Sequence, residues 1–255
     1  MSEVYHFRPP RVLRPTLIGF LVAGLIMNVL YAAISAVIGV MYPDFYNYDA
    51  AYAPGEELVG YAAILLGVGM ILVGITTVVL FCCWIFRASK NARALGAEGM
   101  RISPGWSVGW WFIPLANLFK PYEATKEIYE ASDPDLGPDD WRGSCKTTLI
   151  AWWWAVWIIS GIADQIDVQM GGSSNHQIAH ASSWTGIVSG LVAAVAGILV
   201  IRVIQQIDAR QLVKATESPA ATQRYCLACD YDLSGSHGQS ACPECGEPMP
   251  RAVSG

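Results

Sequence analysis

The chain has 255 residues, of which 53% are hydrophobic and only 15% charged, with a formal net charge of −5. An ordinary soluble domain carries about 25% charged residues, so this composition argues against a soluble globular protein. With no basic stripe and no stacking platform, it also gives no reason to expect nucleic-acid binding.

Four long apolar runs, at 16–40, 58–86, 147–166 and 184–204, organise the rest. Crossing ~30 Å of hydrocarbon takes about 20 helical residues, and each run is long enough. None shows the polar stripe of a helix lying on a surface. All sixteen Lys and Arg fall before the first run, between the second and third, or from Arg202 onward. The connections 41–57 and 167–183 carry none. Cationic loops resist translocation. The pattern therefore predicts an all-α membrane protein, a four-transmembrane-helix bundle in a lipid bilayer, with both termini cytoplasmic.

Residues 1–15 read as a basic cytoplasmic arm, with Pro9, Pro10 and Pro15 opposing helix before the membrane. The four-helix transmembrane domain is expected over 16–215. Its first run exceeds the 7–15 residues of a signal-peptide core, and no A-x-A cleavage site stands out, so it reads as an uncleaved anchor. Tyr42, Tyr46, Tyr48 and Tyr52 follow it as an expected interfacial belt. Gly60, Gly67 and Gly74 recur on one face of the second helix, and Gly186, Gly190 and Ala194 on one face of the fourth. Small residues let helices approach closely in lipid, so both stripes are expected to pack inside the bundle. A seam between two copies of the chain is the alternative.

The cytoplasmic loop 87–146 is expected to begin with a continuation of the second helix, ending near Gly96 or Gly99, with Arg87, Lys90 and Arg93 reaching anionic headgroups. Residues 103–119 hold three Trp, two Phe and two Pro. That stretch is too short to span and is broken by Pro114, so it reads as a re-entrant or interfacial element. Residues 120–131 follow as an amphipathic helix, with Tyr122, Thr125, Ile128 and Tyr129 toward the membrane and Glu123, Glu127 and Glu130 solvated.

Several of these motifs carry a resemblance. Asn91-Ala-Arg-Ala-Leu-Gly96, Ser103-Pro-Gly-Trp106, Gly109-Trp-Trp-Phe-Ile-Pro114, Asn117 and Lys120-Pro121 resemble the DUF4328 family of bacterial multi-pass membrane proteins, over roughly 16–212. The resemblance implies a membrane domain of this architecture in a bacterial inner membrane. It brings no reaction and no catalytic residue.

After a linker at 216–224, residues 225–250 read as a zinc ribbon. Cys226 and Cys229 form one C-x-x-C pair, and Cys242 and Cys245 the other. Two such pairs can present four thiolates to one tetrahedral ion. So short a segment buries too little apolar area to fold alone, so the metal must supply much of its folding energy. Structural Zn2+ is expected; iron in a four-thiolate site is the alternative. With all four positions taken by Cys, the ion has no open site for catalysis. Cys82, Cys83 and Cys145 are expected to be packing residues.

Other constellations are weaker. His176 and His180, with Asp164 and Asp167 nearby, read as solvated loop residues rather than metal ligands. No Walker loop, G-x-S-x-G or H-E-x-x-H is present, so a non-enzymatic binding or scaffolding role is expected, with a cytosolic protein partner for the ribbon. A small-molecule or ion transporter is the alternative; the spans' few polar groups, Asn28 and Thr76–Thr77, do not favour it.

Overall fold

A computed structural model describes residues 5–42, 44–47, 53–144, 148–217, 226, 229, 231–233 and 241–248. Six α-helices account for nearly all regular structure there: α1 (Leu13–Met41), α2 (Glu56–Ala94), α3 (Pro104–Gly109), α4 (Lys120–Ala131), α5 (Leu149–Gly171) and α6 (His176–Glu217). Among the described residues there is no β-strand beyond one isolated bridge. Four helices, α1, α2, α5 and α6, are long and apolar enough to cross a membrane. The chain divides into unit 1 (Met1–Thr16, Leu80–Ile150, Arg202–Gly255) and unit 2 (Leu17–Val79, Ala151–Ile201).

Local chemistry sets the helix ends. The Ala53 N–H donates to Glu56 Oε2 at 2.7 Å, and Glu56 and Glu57 place negative charge in the first turn of α2. Its far end closes at Gly96, whose φ of 89° suits glycine. There the Ala97 N–H reaches Ala92 O at 3.2 Å, and those two alanines pack together. The second helical hairpin is tight: α5 runs to Gly171, and Asn175 caps α6 by accepting the Gln177 N–H at 3.0 Å. Asp167 and residues 176–183 are thus helical, which corrects their expected place in a loop.

Unit 2 is held by close helix contacts and one polar knot. Gly186 of α6 lies against Ser35 and Tyr31 of α1, and Gly190 against Asn28 O and Ala32. Asp167 of α5 is buried and accepts from both the Tyr31 hydroxyl and, at 2.8 Å, the Thr185 hydroxyl. One carboxylate thereby joins α1, α5 and α6. The stripe on α2 behaves otherwise: Gly60 meets Phe45, but Gly67 and Gly74 have nothing within 4 Å of an added Cβ. Gly69 instead makes the close contact, against Met27 of α1. The expected packing role fails for Gly67 and Gly74 because α2 turns that face outward. The most apolar stretch of α2 buries none of its residues within the protein.

Unit 1 has its own core. Trp84, Ile85, Ile128, Ile204 and Ile207 are fully buried. The N-terminal arm is part of this unit, since Phe7 is buried against Leu95 and Ala215. Asn91 fixes the next residue by pairing its side-chain amide with both backbone groups of Arg8, at 3.0 and 3.1 Å. Gln211, also buried, donates to Ala88 O at 2.8 Å and to Ser132 Oγ at 3.0 Å. Such fully bonded buried amides specify register, because any slip strands them without partners.

Helix α4 turns Thr125, Ile128 and Tyr129 into this core, which replaces the membrane-facing orientation expected for them. Of its three glutamates only Glu123 stays exposed as expected. Glu130 is buried, and Glu127 accepts the backbone N–H groups of Arg101 and Ile102 at 2.6 and 3.0 Å. Two of the three expected headgroup cations are engaged within the protein: Arg93 donates to Ser89 and to Ile102 O, and Lys90 sits over the Phe86 ring at 4.6 Å.

The aromatic segment forms α3 and two single 3-10 turns, Trp110–Phe112 and Ala116–Leu118, instead of a spanning helix. Ser103 caps α3 by accepting the Trp106 N–H at 3.3 Å, and Pro104 occupies its first turn, where a missing N–H costs nothing.

Candidate metal centre

The second cysteine pair sits on a tight turn. The Gly246 N–H donates to Cys242 O and the Cys242 N–H to Glu247 O, both at 2.9 Å. Gly246 has a φ of 73°, a left-handed conformation that a Cβ would strain. An antiparallel bridge between Ala241 and Pro248 closes the turn. On the first pair, the Cys226 N–H donates to Tyr231 O at 2.9 Å. Cys226 and Cys242 are buried with Leu233, Cys229 is half-buried and Cys245 exposed.

These turns bring the four predicted ligands together. All four sulfurs lie within 4.8 Å of one another. The Cys226–Cys245 separation is 3.6 Å and the Cys229–Cys242 separation 3.5 Å. Zn–S bonds of about 2.3 Å in a tetrahedron put neighbouring sulfurs about 3.8 Å apart, so the cage has the size that a four-thiolate ion needs. The observed spacing is far from the ~2.05 Å of a disulfide.

The protons on this cage are shared unequally. Desolvation alone would raise the Cys242 thiol, but backbone N–H groups of Cys245 and Glu244 and the neighbouring thiols outweigh it and bring it down to about 7. Desolvation and hydrogen bonding with the other three thiols push Cys229 up to about 12. A bound cation would take the place of those shared protons.

The remaining candidates do not assemble. Among the described residues His176 and His180 join no group of metal-ligand atoms with Asp164 and Asp167. Asn28 spends its amide on Gly24 O at 2.8 Å, one turn back in its own helix. Cys82 is half-buried and Cys83 exposed on α2. Cys145, Tyr48, Tyr52 and nearly all of the 216–224 linker lie outside the described residues. Sequence reading missed the Asp167 knot. The one hint was a carboxylate helical distance beyond an apolar run that carried Asp164 as well.

No curated protein and no solved structure matches the chain. The profile of the family described as Domain of unknown function (DUF4328) matches residues 54–209, which take in α2 through most of α6. That match covers more than half of the chain, and the chain belongs to the DUF4328 family.

Proposed function

We propose that this protein is a non-enzymatic scaffold of a bacterial inner membrane, with both termini cytoplasmic and a structural Zn2+ held by Cys226, Cys229, Cys242 and Cys245. The metal-bound segment recruits a cytosolic protein to the bilayer. The observation that carries the reading is the set of four thiol sulfurs within 4.8 Å of one another, on chain that follows the last long apolar helix. A site saturated with cysteine holds an ion but leaves it no position for substrate, which supports a structural over a catalytic metal. Reduced thiols persist in the cytosol. The confinement of all sixteen cations to the arm, the 87–146 segment and the chain from Arg202 onward supports that side for the ribbon.

The test is capture of partners from membranes of cells expressing the full chain or its Cys226→Ser/Cys229→Ser variant. Loss of specific cytosolic proteins in the variant is expected. Recovery of the same proteins from both would overturn the recruiting role. A reporter fused after Gly255 should be active in the cytoplasm, and activity on the opposite side would overturn the orientation.

A further inference from the structure

The loop before α3, α3 with the following Trp110, α4 and the turn at 141–143 line an open cleft of about 590 Å³ within unit 1. That volume lies in the range of small-molecule sites. Arg101, Lys120, Lys126 and Arg142 line it, together with three glutamates. The acids are largely committed. Both oxygens of Glu127 hold the backbone at Arg101 and Ile102, and Glu130 accepts the Gly143 N–H and faces Lys126 at 3.8 Å. Glu123 meets Lys120 at 2.6 Å, but both side chains are exposed, and such pairs are easily exchanged. Four cations against three carboxylates leave the cleft one net positive charge, with the Arg101 guanidinium, among the described residues, free of a direct carboxylate contact.

Its aromatic wall is unlike an ordinary polar surface. Trp106 and Trp110 stack with ring centroids 4.4 Å apart, and Gly109 leaves room for the Trp106 ring. Directly after them in the chain, Phe112 is 67% exposed, Leu115 81% and Phe119 64%. Lys120 comes next. A soluble anion would explain the cations and leave these apolar side chains in water; a lipid accounts for both.

We infer that the cleft binds the phosphate of a phospholipid headgroup. Arg101 and Lys120 contact the phosphate, the first as a planar fork and the second as a point charge. The Trp106–Trp110 pair stands at the glycerol level, where indoles are favoured, and Phe112, Leu115 and Phe119 enter the acyl region. This makes the 103–119 segment an interfacial element with a defined lipid, distinct from the recruiting role of the ribbon.

The experiment uses the full chain in detergent micelles with a phosphatidylglycerol probe carrying a photoactivatable diazirine near its headgroup, followed by peptide mapping. Labelling is expected between Arg101 and Glu123. It should fall about tenfold in Arg101→Ala/Lys120→Ala, while labelling of the apolar part of α2 stays constant. Glu123→Gln, which releases Lys120, should raise it, so a poorly folding double variant does not leave the idea without a test. Equal labelling of the wild type and the double variant would overturn the proposal, as would no gain in Glu123→Gln. Displacement of the probe by inorganic phosphate as readily as by unlabelled phosphatidylglycerol would replace the lipid with a soluble ligand and overturn it too.

Discussion

Gly190 of α6 lies directly on the backbone of Asn28 in α1: a Cβ there would stand 2.7 Å from the Asn28 carbonyl oxygen and 3.2 Å from Ala32 Cβ. Neither is the movable tip of a side chain, so the two helices must separate to admit even a methyl group. Apolar solvation gives helices in lipid little reason to associate, and backbone proximity supplies much of the attraction instead.

Gly190→Ala is accordingly expected to lower the stability of unit 2 by roughly 1–3 kcal/mol. Gly74→Ala is the matched control, because nothing lies within 4 Å of its Cβ position, and it should be neutral or slightly stabilising, given glycine's poor helix propensity. Thermal unfolding of both variants in detergent decides it. Equal midpoints would show that the α1–α6 contact is looser than described.

Asp167 should behave as a clamp. Asp167→Ala takes this acceptor from the Tyr31 hydroxyl, while the Thr185 hydroxyl keeps the Ser182 carbonyl at 3.0 Å, so a cost of about 1 kcal/mol is expected, chiefly from the half-buried Tyr31 hydroxyl. Tyr31→Phe leaves buried Asp167 with the Thr185 hydroxyl as donor and should also destabilise, because a carboxylate out of water loses a partner. A double-mutant cycle on Tyr31 and Asp167 should give a coupling energy clearly different from zero; strict additivity would mean that the bond contributes nothing.

Phe7→Ala should loosen the N-terminal arm. Full burial of a phenylalanine contributes about 1.5–3 kcal/mol, and Phe7 is the large side chain of its small cluster with Leu95 and Ala215. Hydrogen exchange at Arg8 should accelerate in the variant, because that amide donates to Asn91 Oδ1 only while the arm is docked. Unchanged protection would place the anchoring in Asn91 alone.

Metal content offers the fourth test. The purified chain should carry one metal ion, which Cys242→Ser abolishes, and chelation should expose four additional thiols to a colorimetric reagent. Helical circular dichroism should hardly change, since no residue of α1 to α6 belongs to the cage. Substantial loss of helix on chelation would show that the helices depend on the ion.

The parts of this fold that were legible in the sequence share one physical cause: each is decided by a few neighbouring residues. An unbroken apolar run announces a long helix before any packing is known. The spacing of Cys226, Cys229, Cys242 and Cys245 likewise announces a cage, because few arrangements of two C-x-x-C turns satisfy four sulfurs. The direction in which a helix faces is a different matter. Gly67 and Gly190 are both small residues on apolar helices, yet only Gly190 has a neighbour, and that depends on where α1 runs. In the same way, Glu127 and Glu130 have the spacing of a solvated face and are instead used by the Arg101–Ile102 loop and by Gly143. Sequence period defines a face; only the packed neighbours say whether it meets water, lipid or protein.

The docking of Phe7 against Ala215 has a consequence for how the chain is made. Phe7 precedes α1 and leaves the ribosome before every helix, whereas Ala215 emerges only after almost all of α6 has been synthesised. The arm's seat does not exist while the earlier helices are being inserted. Docking of the arm must then be a late event in biogenesis, and truncation within the last turns of α6 should leave the arm open to proteases even where every upstream helix is in place.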